Sequence, residues 1–577
     1  MSASVDRVDP AALATARAWL AQDPDEVTRA ELASLITAAE GGDAAASADL
    51  ADRFGTRLEF GTAGLRGRLG AGSNRMNRVL VSQAAAGFAA YLREKAEPGE
   101  TPLVVIGYDG RRNSDVFAED SAEIFAGAGL RAVLLPRLLP TPVLAFAVRH
   151  LGAAAGVMVT ASHNPPDDNG YKVYLGGADH GSQIVSPADA EIAAHIERVA
   201  KTTVVGDMPR GAYELADEAV VEAYVAATAT VAPAPAGAAG MNWVYTAMHG
   251  VGYETLTSIL QLAGYPLPVV VEAQIAPDGR FPTVAFPNPE EPGAMDLSFA
   301  TARDAAAEFI LANDPDADRL AVAIPDASSP EGWRRLTGNE TGLLLGWRAA
   351  KRARASAPSQ GAAAGASLAC SLVSSPGLQT VAEHYDLDFH ATLTGFKWIS
   401  RAPGILFGFE EALGYLVNPE TVRDKDGISA AVAMLGMIAE AREHGETLAD
   451  LLDRFAATFG YFQSGQVSLR VDDVSLIGRI MAALRSAPPA EVGGVAVERI
   501  DDLLAVADAP SDAGDVPPSD VLRLWLADAS RVIVRPSGTE PKLKVYLDVR
   551  GDSASDAAER LARLDAGARD LLAAAQA

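Results

Sequence analysis

Thr160-Ala161-Ser162-His163-Asn164-Pro165 is the stretch that decides the fold, because it joins an apolar strand to a rigid turn. The residues before it, 156–159, are apolar and predict a buried strand. Asparagine and proline are typical of turns, so the backbone displays Ser162 at a strand exit, where open α/β sheets place their chemistry. The same residue types also occur in ordinary surface turns, and this stretch alone leaves both interpretations open.

Strand-then-helix alternation recurs on both sides of this stretch and predicts mostly parallel sheets flanked by helices. Strands are expected over residues 103–108 and 131–135, with helices over 115–128 and 143–151. The pattern restarts after a Pro/Ala/Gly segment at 232–240. The further predicted elements are strands 243–247, 268–271, 308–312 and 367–373 and helices 253–263, 295–307, 341–353 and 378–385.

The last part of the chain has a different pattern, that of an α+β unit. Its predicted elements are strands 465–471, 522–527, 531–534 and 542–549, a helix over 475–486, a loop over 508–520 and a closing helix. The first 50 residues predict a packed helical extension. We therefore expect three similar α/β domains with mixed, mostly parallel sheets plus a smaller C-terminal α+β domain, around a central cleft. The expected domain bounds are 1–207, 208–328, 329–457 and 458–577.

Length and charge limit the class of protein. A chain of 577 residues is too long for one hydrophobic core, and about three to four domains are expected. Its 49% hydrophobic and 21% charged residues are typical of a soluble globular protein. The net charge of −27 disfavours binding to nucleic acid or to anionic membranes. It also repels phosphorylated metabolites, unless basic side chains are concentrated in one cleft.

Cysteine content and the terminus indicate a reducing, cytoplasmic location. Cys370 is the single cysteine, which excludes an internal disulfide and a cysteine-based metal cluster. The start, Met1-Ser2-Ala3-Ser4-Val5-Asp6, predicts no signal peptide. The uncharged stretches 223–253 and 355–382 contain prolines and predict linkers and buried strands rather than membrane spans.

A second loop, Asp314-Pro315-Asp316-Ala317-Asp318-Arg319, follows the predicted strand 309–312. Pro315 disfavours a helix, and in a looped backbone carboxylates at alternate positions converge on one side. Three oxygen anions without histidine or cysteine suit Mg²⁺. An EF-hand calcium loop is excluded because its glycine and glutamate positions hold Arg319 and Pro325. A solvated acidic turn is the alternative.

A third loop, Gly408-Phe409-Glu410-Glu411-Ala412-Leu413-Gly414-Tyr415, follows a predicted strand at 405–407. A carboxylate pair after a strand can accept hydrogen bonds from sugar hydroxyls. The same pair is typical of the acidic first turn of a helix, and these residues alone favour that interpretation. The sugar-binding interpretation stays open as the alternative.

A fourth loop, Arg535-Pro536-Ser537-Gly538-Thr539-Glu540-Pro541-Lys542, lies between two predicted strands. It offers a bidentate cation, two hydroxyls and open backbone N–H groups, which together favour phosphate binding. A plain hairpin turn is the alternative, but such a turn does not need basic residues at both ends.

The four loops, in this order, resemble those of the α-D-phosphohexomutases (phosphoglucomutase and phosphomannomutase), most closely the phosphoglucomutase 2 branch. The resemblance covers nearly the whole chain, from Glu59-Phe60-Gly61-Thr62-Ala63-Gly64-Leu65-Arg66-Gly67 to Tyr546, with one loop in each expected domain. It implies an isomerase that moves a phosphoryl group within a sugar phosphate. It also implies Mg²⁺ as cofactor and a sugar 1,6-bisphosphate as activator and intermediate.

The resemblance assigns roles to residues of the first two loops. It implies that Ser162 is phosphorylated in the resting enzyme. Asp314, Asp316 and Asp318 match the Mg²⁺ ligands, and an oxygen of phosphorylated Ser162 completes that site. The remaining matches are His163 and Lys172, proposed for proton transfer, and two arginines. Arg319 lies near the phosphoserine in the family, and Arg66 matches an arginine that reaches into the same cleft.

The resemblance also assigns the recognition of substrate. Lys397, in Thr394-Gly395-Phe396-Lys397, matches a lysine near the substrate, and Glu410 matches the glutamate that binds sugar hydroxyls. The phosphate-binding positions are Arg535, Ser537, Gly538 and Thr539. If the basic residues of these separate loops converge, they form one cationic cleft in an acidic body.

One position departs from the family pattern. Many members have serine two residues after the sugar-binding glutamate, whereas this chain has Ala412. A hydrogen bond to the sugar is lost there, so pentose phosphates become an alternative to hexose phosphates. Glu411 is a further substrate-binding candidate, because its carboxylate could replace that hydrogen bond.

The expected activity is interconversion of hexose 1-phosphate and hexose 6-phosphate, glucose before mannose, through a phosphoserine enzyme. The alternatives are a phosphopentomutase, a glucose 1,6-bisphosphate synthase and, more remotely, an inactive sugar-phosphate sensor. The expected partner is a small phosphosugar, with neither nucleic acid nor membrane, and the sequence leaves a monomer and a dimer open. A serine hydrolase is disfavoured, because on an extended backbone the adjacent Ser162 and His163 side chains point apart.

Overall fold

The computed structural model describes residues 9–62, 64–356, 365–471, 473, 475–505, 518–537 and 542–576. The chain divides into two compact units. The first unit comprises residues 1–335 together with 414–440, and the second comprises residues 336–413 together with 441–577. None of the helices in the described ranges is both long and apolar enough to cross a membrane.

The N-terminal extension is helical, as the sequence predicts. Its helices are α1 (Pro10–Gln22), α2 (Glu26–Glu40) and α3 (Ala44–Phe54). The aspartates Asp9, Asp25 and Asp43 cap them, each accepting a hydrogen bond from a first-turn N–H group. Arg53 at the end of α3 donates to the carbonyl of Ala71, which ties the extension to the following domain.

A twisted α/β layer follows, with parallel strands at its centre. Its elements are β1 (Leu65–Arg68), α4 (Arg78–Lys95), β2 (Leu103–Tyr108), α5 (Ser114–Gly127), β3 (Arg131–Leu134), α6 (Thr141–His150), β4 (Ala155–Val159), β5 (Asp168–Leu175), β6 (Ser182–Gln183), α7 (Ala188–Thr202), β7 (Glu214–Leu215) and α8 (Ala219–Ala229). The strand order is β1-β5-β4-β2-β3-β7, and β6 pairs with β5. Strands β4, β2, β3 and β7 are parallel, whereas β5 and β1 run antiparallel to their neighbours. The chain therefore reverses direction between β4 and β5.

The second sheet repeats this plan. Its elements are β8 (Trp243–Thr246), α9 (Gly252–Ala263), β9 (Val269–Val270), α10 (Asp296–Asp304), β10 (Phe309–Ala312), β11 (Ala321–Pro325) and β12 (Trp333–Arg335). The order is β12-β11-β10-β8-β9, parallel over β10, β8 and β9 and antiparallel over the rest. The chain reverses between β10 and β11, so a loop at a central strand exit is again followed by an antiparallel strand.

The second unit begins with a third α/β layer. Its elements are α11 (Gly338–Ser356), β13 (Ser367–Ser371), α12 (Gly377–His384), β14 (Asp388–Thr392), α13 (Phe396–Ile399) and β15 (Ile405–Glu410). Strand β13 pairs in parallel with both β14 and β15. Because β13 is buried along its whole length, its apolar residues form the centre of this layer.

The chain then enters the first unit for residues 414–440. This segment holds β16 (Gly414–Leu416) and most of α14 (Gly427–Arg442). It is anchored by buried carboxylates that precede α14. Tyr174 donates its hydroxyl hydrogen to Asp424, with the oxygens 2.9 Å apart, and Tyr224 donates to Asp426 at 3.0 Å. Asp426 also accepts from the N–H groups of Ile428 and Ser429, so it caps the helix as well.

The C-terminal part is an antiparallel sheet covered by helices. Its elements, after α15 (Leu448–Phe459), are β17 (Tyr461–Arg470), α16 (Ser475–Ser486), β18 (Glu491–Val492), β19 (Val495–Asp502), β20 (Leu522–Leu526), β21 (Arg531–Pro536), β22 (Lys542–Gly551) and α17 (Ala554–Gln576). The order is β17-β22-β21-β20-β19-β18. The predicted fold class, three α/β layers with mixed sheets plus a C-terminal α+β domain, is confirmed.

Several strands differ from the sequence expectation, among them two in the C-terminal domain. Strand β17 begins at residue 461 rather than 465, and β19 lies where no strand is expected. Both strands leave much of their length partly exposed, so they lack the continuous apolar run that marks the central strands. Much of the predicted loop at 508–520 lies outside the described residues.

A pair of helical glycines tests the packing of the C-terminal domain. A Cβ on Gly567 of α17 would lie 2.2 Å from the backbone nitrogen of Gly493, whereas a Cβ on Gly478 of α16 meets nothing within 4 Å. We expect Gly567→Ala to destabilise the domain by roughly 1–3 kcal/mol, because the backbone of α17 and the backbone at Gly493 must move apart. Gly478→Ala should instead stabilise it by about 0.5–1 kcal/mol, since it only removes glycine's freedom in the unfolded chain. Calorimetric unfolding of both variants measures the two shifts, and equal shifts would contradict this packing.

Candidate active site

Ser162 stands at the exit of β4, at the point where the chain turns back into β5. Its φ of 51° is left-handed, an unusual conformation for a residue with a side chain. The residue is 2% exposed, and its Oγ donates to Asp314 Oδ2 over 2.8 Å. The first and second predicted loops are therefore brought together around this hydroxyl.

The position of the His163 side chain differs from the sequence expectation. Its Nδ1 lies 3.2 Å from Ser162 Oγ, although the two side chains were expected to point apart. That expectation was wrong because it assumed an extended backbone, and the left-handed φ of Ser162 turns the two side chains to the same side. Burial, followed by the positive charges of Arg319 and Arg66, holds the pKa of the His163 imidazole well below its usual range. This environment therefore disfavours the protonated, charged form of the ring.

The second loop places three carboxylates around one point. Asp314, Asp316 and Asp318 each offer an oxygen within 4.8 Å of the others, and all three side chains are buried. Burial, followed by the charges of Asp316 and Asp318, raises the pKa of Asp314 well above its usual value. Ala317, with a φ of 56°, forms the turn that brings the aspartates together.

The donor set fits a hard divalent cation. Among the described residues, Asp316 Oδ1 and Asp318 Oδ1 are buried and have no hydrogen-bond partner. Buried anionic oxygens without partners are costly, and they are the ligands that Mg²⁺ prefers. An acidic turn in solvent, the alternative from sequence, does not fit, since none of the three carboxylates is exposed.

Lys172 partly compensates this charge from β5. Its Nζ lies 2.7 Å from Asp316 Oδ2 and 2.8 Å from Asp318 Oδ2. Burial by itself lowers the pKa of the ammonium, but Asp316 and Asp318 outweigh it, and the net pKa is raised. For Asp318, burial raises the carboxyl pKa, but Lys172 and Lys425 outweigh it and hold the pKa below its usual range.

Lys425 and Thr141 belong to this cluster and were missed in the sequence. Lys425 Nζ lies 3.3 Å from Asp318 Oδ2, and Thr141 Oγ1 donates to Asp316 Oδ2 over 2.6 Å. The signals were the alternating charges of Arg423-Asp424-Lys425-Asp426-Gly427 before a helix and the threonine between two prolines at the start of α6. Both residues are far from the aspartates along the chain, so only the fold shows the contact.

The two predicted arginines also lie at this cluster. Arg66, on β1, donates to Asn164 Oδ1 over 3.1 Å, which links it to the Ser162 loop. The Arg319 N–H donates to Asp314 Oδ1 over 3.0 Å, and its Nε lies 3.8 Å from Asp318 Oδ1. The first unit thus collects all of the predicted catalytic residues.

The predicted sugar-binding residues lie in the second unit. Glu410 is the last residue of β15, so the carboxylate pair ends a strand and does not begin a helix. Glu411 Oε2 accepts hydrogen bonds from the hydroxyls of Ser371 and Ser374, each at 3.0 Å. Lys397 lies in α13, directly after the turn at Gly395. The Glu411 carboxylate is therefore engaged within its own domain, and a substrate contact for it stays a prediction.

The predicted phosphate loop is described in part. Arg535 lies near the end of β21, opposite Lys544 of β22. The N–H of Ser537 donates to the carbonyl of Lys542 over 2.8 Å, which closes the turn between these strands. Gly538 and Thr539 lie outside the described residues.

Comparison with known families gives matches over most of the chain. The three alpha/beta/alpha domains of the phosphoglucomutase/phosphomannomutase family match residues 57–203, 222–327 and 337–459. The C-terminal domain of the same family matches residues 489–566. The helical extension precedes the first of these matches.

Individual relatives agree with this assignment. The "Probable phosphomannomutase" of Haemophilus influenzae is 55% identical over 86% of this chain and 98% of its own length. The human phosphopentomutase is 34% identical over 92% of this chain and 90% of its own. The crystal structure of a phosphoglucomutase/phosphomannomutase family protein from Burkholderia thailandensis has a TM-score of 0.67 at 20% identity, covers 90% of this chain and 98% of its own, and shows the same fold. This chain therefore belongs to the phosphoglucomutase/phosphomannomutase family and is an isomerase of its mutase type.

Proposed function

We propose that this mutase interconverts hexose 1-phosphate and hexose 6-phosphate, glucose before mannose, through phosphorylated Ser162 and a hexose 1,6-bisphosphate. The observation that carries the proposal is the Ser162 hydroxyl, 2.8 Å from a carboxylate of the buried aspartate cluster. A serine used only as a turn residue needs neither this burial nor this partner. The proposal includes a cytoplasmic location and the domain bounds expected from the sequence.

The reaction consists of two phosphoryl transfers. In the first, the bond from phosphorus to Ser162 Oγ breaks and a bond to a hydroxyl oxygen of the sugar phosphate forms; the sugar hydroxyl gives its proton to a base, and Ser162 Oγ takes up a proton. In the second, the bond from the other phosphorus of the bisphosphate to its sugar oxygen breaks and a bond to Ser162 Oγ forms; the Ser162 hydroxyl gives up its proton, and the sugar oxygen takes one up. Such transfers need little covalent chemistry from the protein, and positioning and charge neutralisation supply most of the acceleration.

Asp314, Asp316 and Asp318 would hold Mg²⁺, together with an oxygen of phosphorylated Ser162. When bound, the ion withdraws negative charge from the phosphoryl group. Lys172, Arg66 and Arg319 lie around the same cluster and neutralise charge on the transferring group.

His163 and Lys172 are the two residues proposed to move the proton. His163 Nδ1 lies 3.2 Å from Ser162 Oγ, a position from which it can exchange a proton with the serine oxygen as the phosphoryl group leaves or returns. Lys172 Nζ contacts two carboxylates, and these contacts favour its charged form, which donates hydrogen bonds. Substituting each residue and comparing pH–rate profiles separates the two roles.

Recognition of the substrate is assigned to the second unit. Glu410, Lys397 and Glu411 are proposed to bind the sugar hydroxyls. The proposed ligands of the non-reacting phosphate are Arg535, Ser537, Gly538 and Thr539. A fixed phosphate-binding site of this kind can bind either phosphate of the bisphosphate. The reaction requires this because a different phosphate reacts in each of the two transfers.

Pentose phosphates are the second candidate class of substrate. Ala412 lacks the hydroxyl that many family members present at this position, so one contact to a hexose is absent. The similarity to a phosphopentomutase over most of the chain supports the same candidate. Relative turnover of the two sugar classes decides between them.

We expect coupled assays with Mg²⁺ and a trace of the matching bisphosphate to show faster turnover of glucose 1-phosphate than of mannose 1-phosphate or ribose 1-phosphate. Ser162→Ala should abolish turnover because it removes the acceptor of the phosphoryl group, whereas Ser34→Ala, at an exposed position of α2, should retain it. Preference for ribose 1-phosphate would assign a pentose substrate. If none of the three sugar phosphates is turned over although Ser162 is phosphorylated, a bisphosphate synthase is favoured.

Mg²⁺ should raise the melting temperature of the metal-free protein, because it removes the repulsion among three buried carboxylates. At 100 times Kd the expected stabilisation is about 2.7 kcal/mol. Asp318→Asn should abolish most of the shift. Asp326→Asn is the matched control, since Asp326 lies in a surface turn of the same sheet and binds Ser328. A full shift in Asp318→Asn would refute the assigned ligand set.

Arg535→Ala should raise KM for the sugar phosphate by roughly 10-fold or more, since a charge-assisted contact to phosphate is worth about 1.5–3 kcal/mol. Arg479→Ala, an exposed arginine of the same domain, is the control and should leave KM unchanged. Labelling of Ser162 by a sugar bisphosphate should persist in Arg535→Ala at saturating concentration. Loss of that labelling would place Arg535 in the transfer step and contradict the proposed role.

A further inference from the structure

A buried polar cluster lies beneath the Ser162 loop, and none of its side chains takes part in the chemistry described above. It consists of Asp109, Arg111 and Thr160. Asp109 and Arg111 follow β2, and Thr160 follows β4, the neighbouring parallel strand. An aspartate and an arginine without solvent are costly unless they are fully paired. Their partners show what the cluster does.

Arg111 binds the backbone of the catalytic loop. Its side chain is 1% exposed. Its Nη2 donates to the carbonyls of Ser162 and Asn164, over 2.6 Å and 2.5 Å. Its Nη1 donates to the carbonyls of Pro165 and Asp168, over 2.9 Å and 3.1 Å. One planar guanidinium thus fixes four carbonyls between the nucleophile and the start of β5, a geometry that a lysine cannot reproduce.

Thr160 binds the other side of the nucleophile. Its Oγ1 accepts from the N–H of Ser162 over 2.8 Å and donates its own hydrogen to Asp109 Oδ2 over 2.7 Å. Asp109 Oδ1 in turn accepts from the N–H of Arg111 and from the hydroxyl of Ser114. Asp109 is therefore linked to Ser162 by two routes, through Thr160 to its N–H group and through Arg111 to its carbonyl.

The backbone of Ser162 needs such support. A left-handed φ of 51° is unfavourable for serine, and residues in this conformation persist only where their surroundings enforce it. At Ser162 both of its own backbone groups are fixed, the N–H by Thr160 and the carbonyl by Arg111. This conformation is also the one that directs Oγ to Asp314 and brings His163 to the same side.

We infer that Arg111 and Thr160 are positioning residues for phosphoryl transfer, which they support by holding Ser162 in its left-handed conformation. The inference rests on the proposed function, because it presupposes that Ser162 carries the phosphoryl group. Arg112 provides the contrast. It contacts the same loop at Pro166 and Asp167, but its side chain is 47% exposed and it touches no backbone group of Ser162.

The first test compares two substitutions of Thr160. Thr160→Val keeps the shape but removes both hydrogen bonds, whereas Thr160→Ser keeps the hydroxyl. Misplacing a reacting group by a fraction of an ångström to about 1 Å lowers rates by on the order of 10- to 100-fold. We expect a loss of that size in kcat for Thr160→Val, with KM within about twofold of the wild type because substrate-binding groups are unchanged. Thr160→Ser should keep kcat. Wild-type kcat in Thr160→Val, or an equal loss in both variants, would overturn the inference.

The second test compares Arg111→Lys with Arg112→Lys. The readout is the single-turnover rate at which a hexose 1,6-bisphosphate phosphorylates Ser162, followed by intact mass. Arg111→Lys should slow this rate by on the order of 10- to 100-fold, because a lysine leaves carbonyls of the loop unbound. Arg112→Lys should not change it. Equal rates for the two variants would overturn the inference, and if Arg111→Lys fails to fold, as judged by circular dichroism, the Thr160 pair decides.

Measurements on the wild type distinguish failure of the proposed function from failure of the positioning role. If wild-type Ser162 takes no phosphoryl group from the bisphosphate, the proposed function itself fails. If wild-type Ser162 is labelled and turnover is normal, but the Thr160 and Arg111 variants behave as the wild type does, only the positioning role fails.

Discussion

The structure depends on the mutual repulsion of three buried carboxylates. Asp314, Asp316 and Asp318 each place a carboxylate oxygen within 4.8 Å of the others without solvent, an arrangement that is costly unless nearby cations or protonation compensate the charge. Lys172 and Lys425 supply part of this compensation from two distant parts of the chain. The same excess of negative charge would favour binding of a divalent ion. The electrostatic cost of the cluster and the metal site proposed for it therefore have one origin.

Topology explains how these groups meet. In both sheets of the first unit, a loop leaves a central parallel strand and the chain returns antiparallel. The Ser162 loop occupies this position in the first sheet and the aspartate loop in the second. The returning strand β5 also carries Lys172, so one reversal of the chain brings Ser162 and a basic side chain to the same end of the sheet.

Much of this could be predicted from the sequence. Central strands such as β2 and β10 were predicted to within a residue, because continuous apolar runs between turn residues leave little choice. The aspartate loop was predicted to converge, and it does, because alternate positions of a loop share a side. Ser162 and His163 were predicted to diverge, and they do not, because a local pattern does not reveal a left-handed φ enforced by Arg111 and Thr160. Lys425 was missed for a related reason, since its partner lies more than 100 residues earlier in the chain.

The discontinuity of the first unit has a consequence for biosynthesis. Its residues end at 335 and resume at 414–440, so a ribosome completes part of the second unit before it supplies the rest of the first. The nascent chain therefore carries the three aspartates for many codons before the lysine at position 425 emerges to neutralise them. During that interval Lys172 and Arg319 are among the available counter-charges. Completion of the first unit thus requires translation well past Asp318, and no single proteolytic cut releases that unit intact.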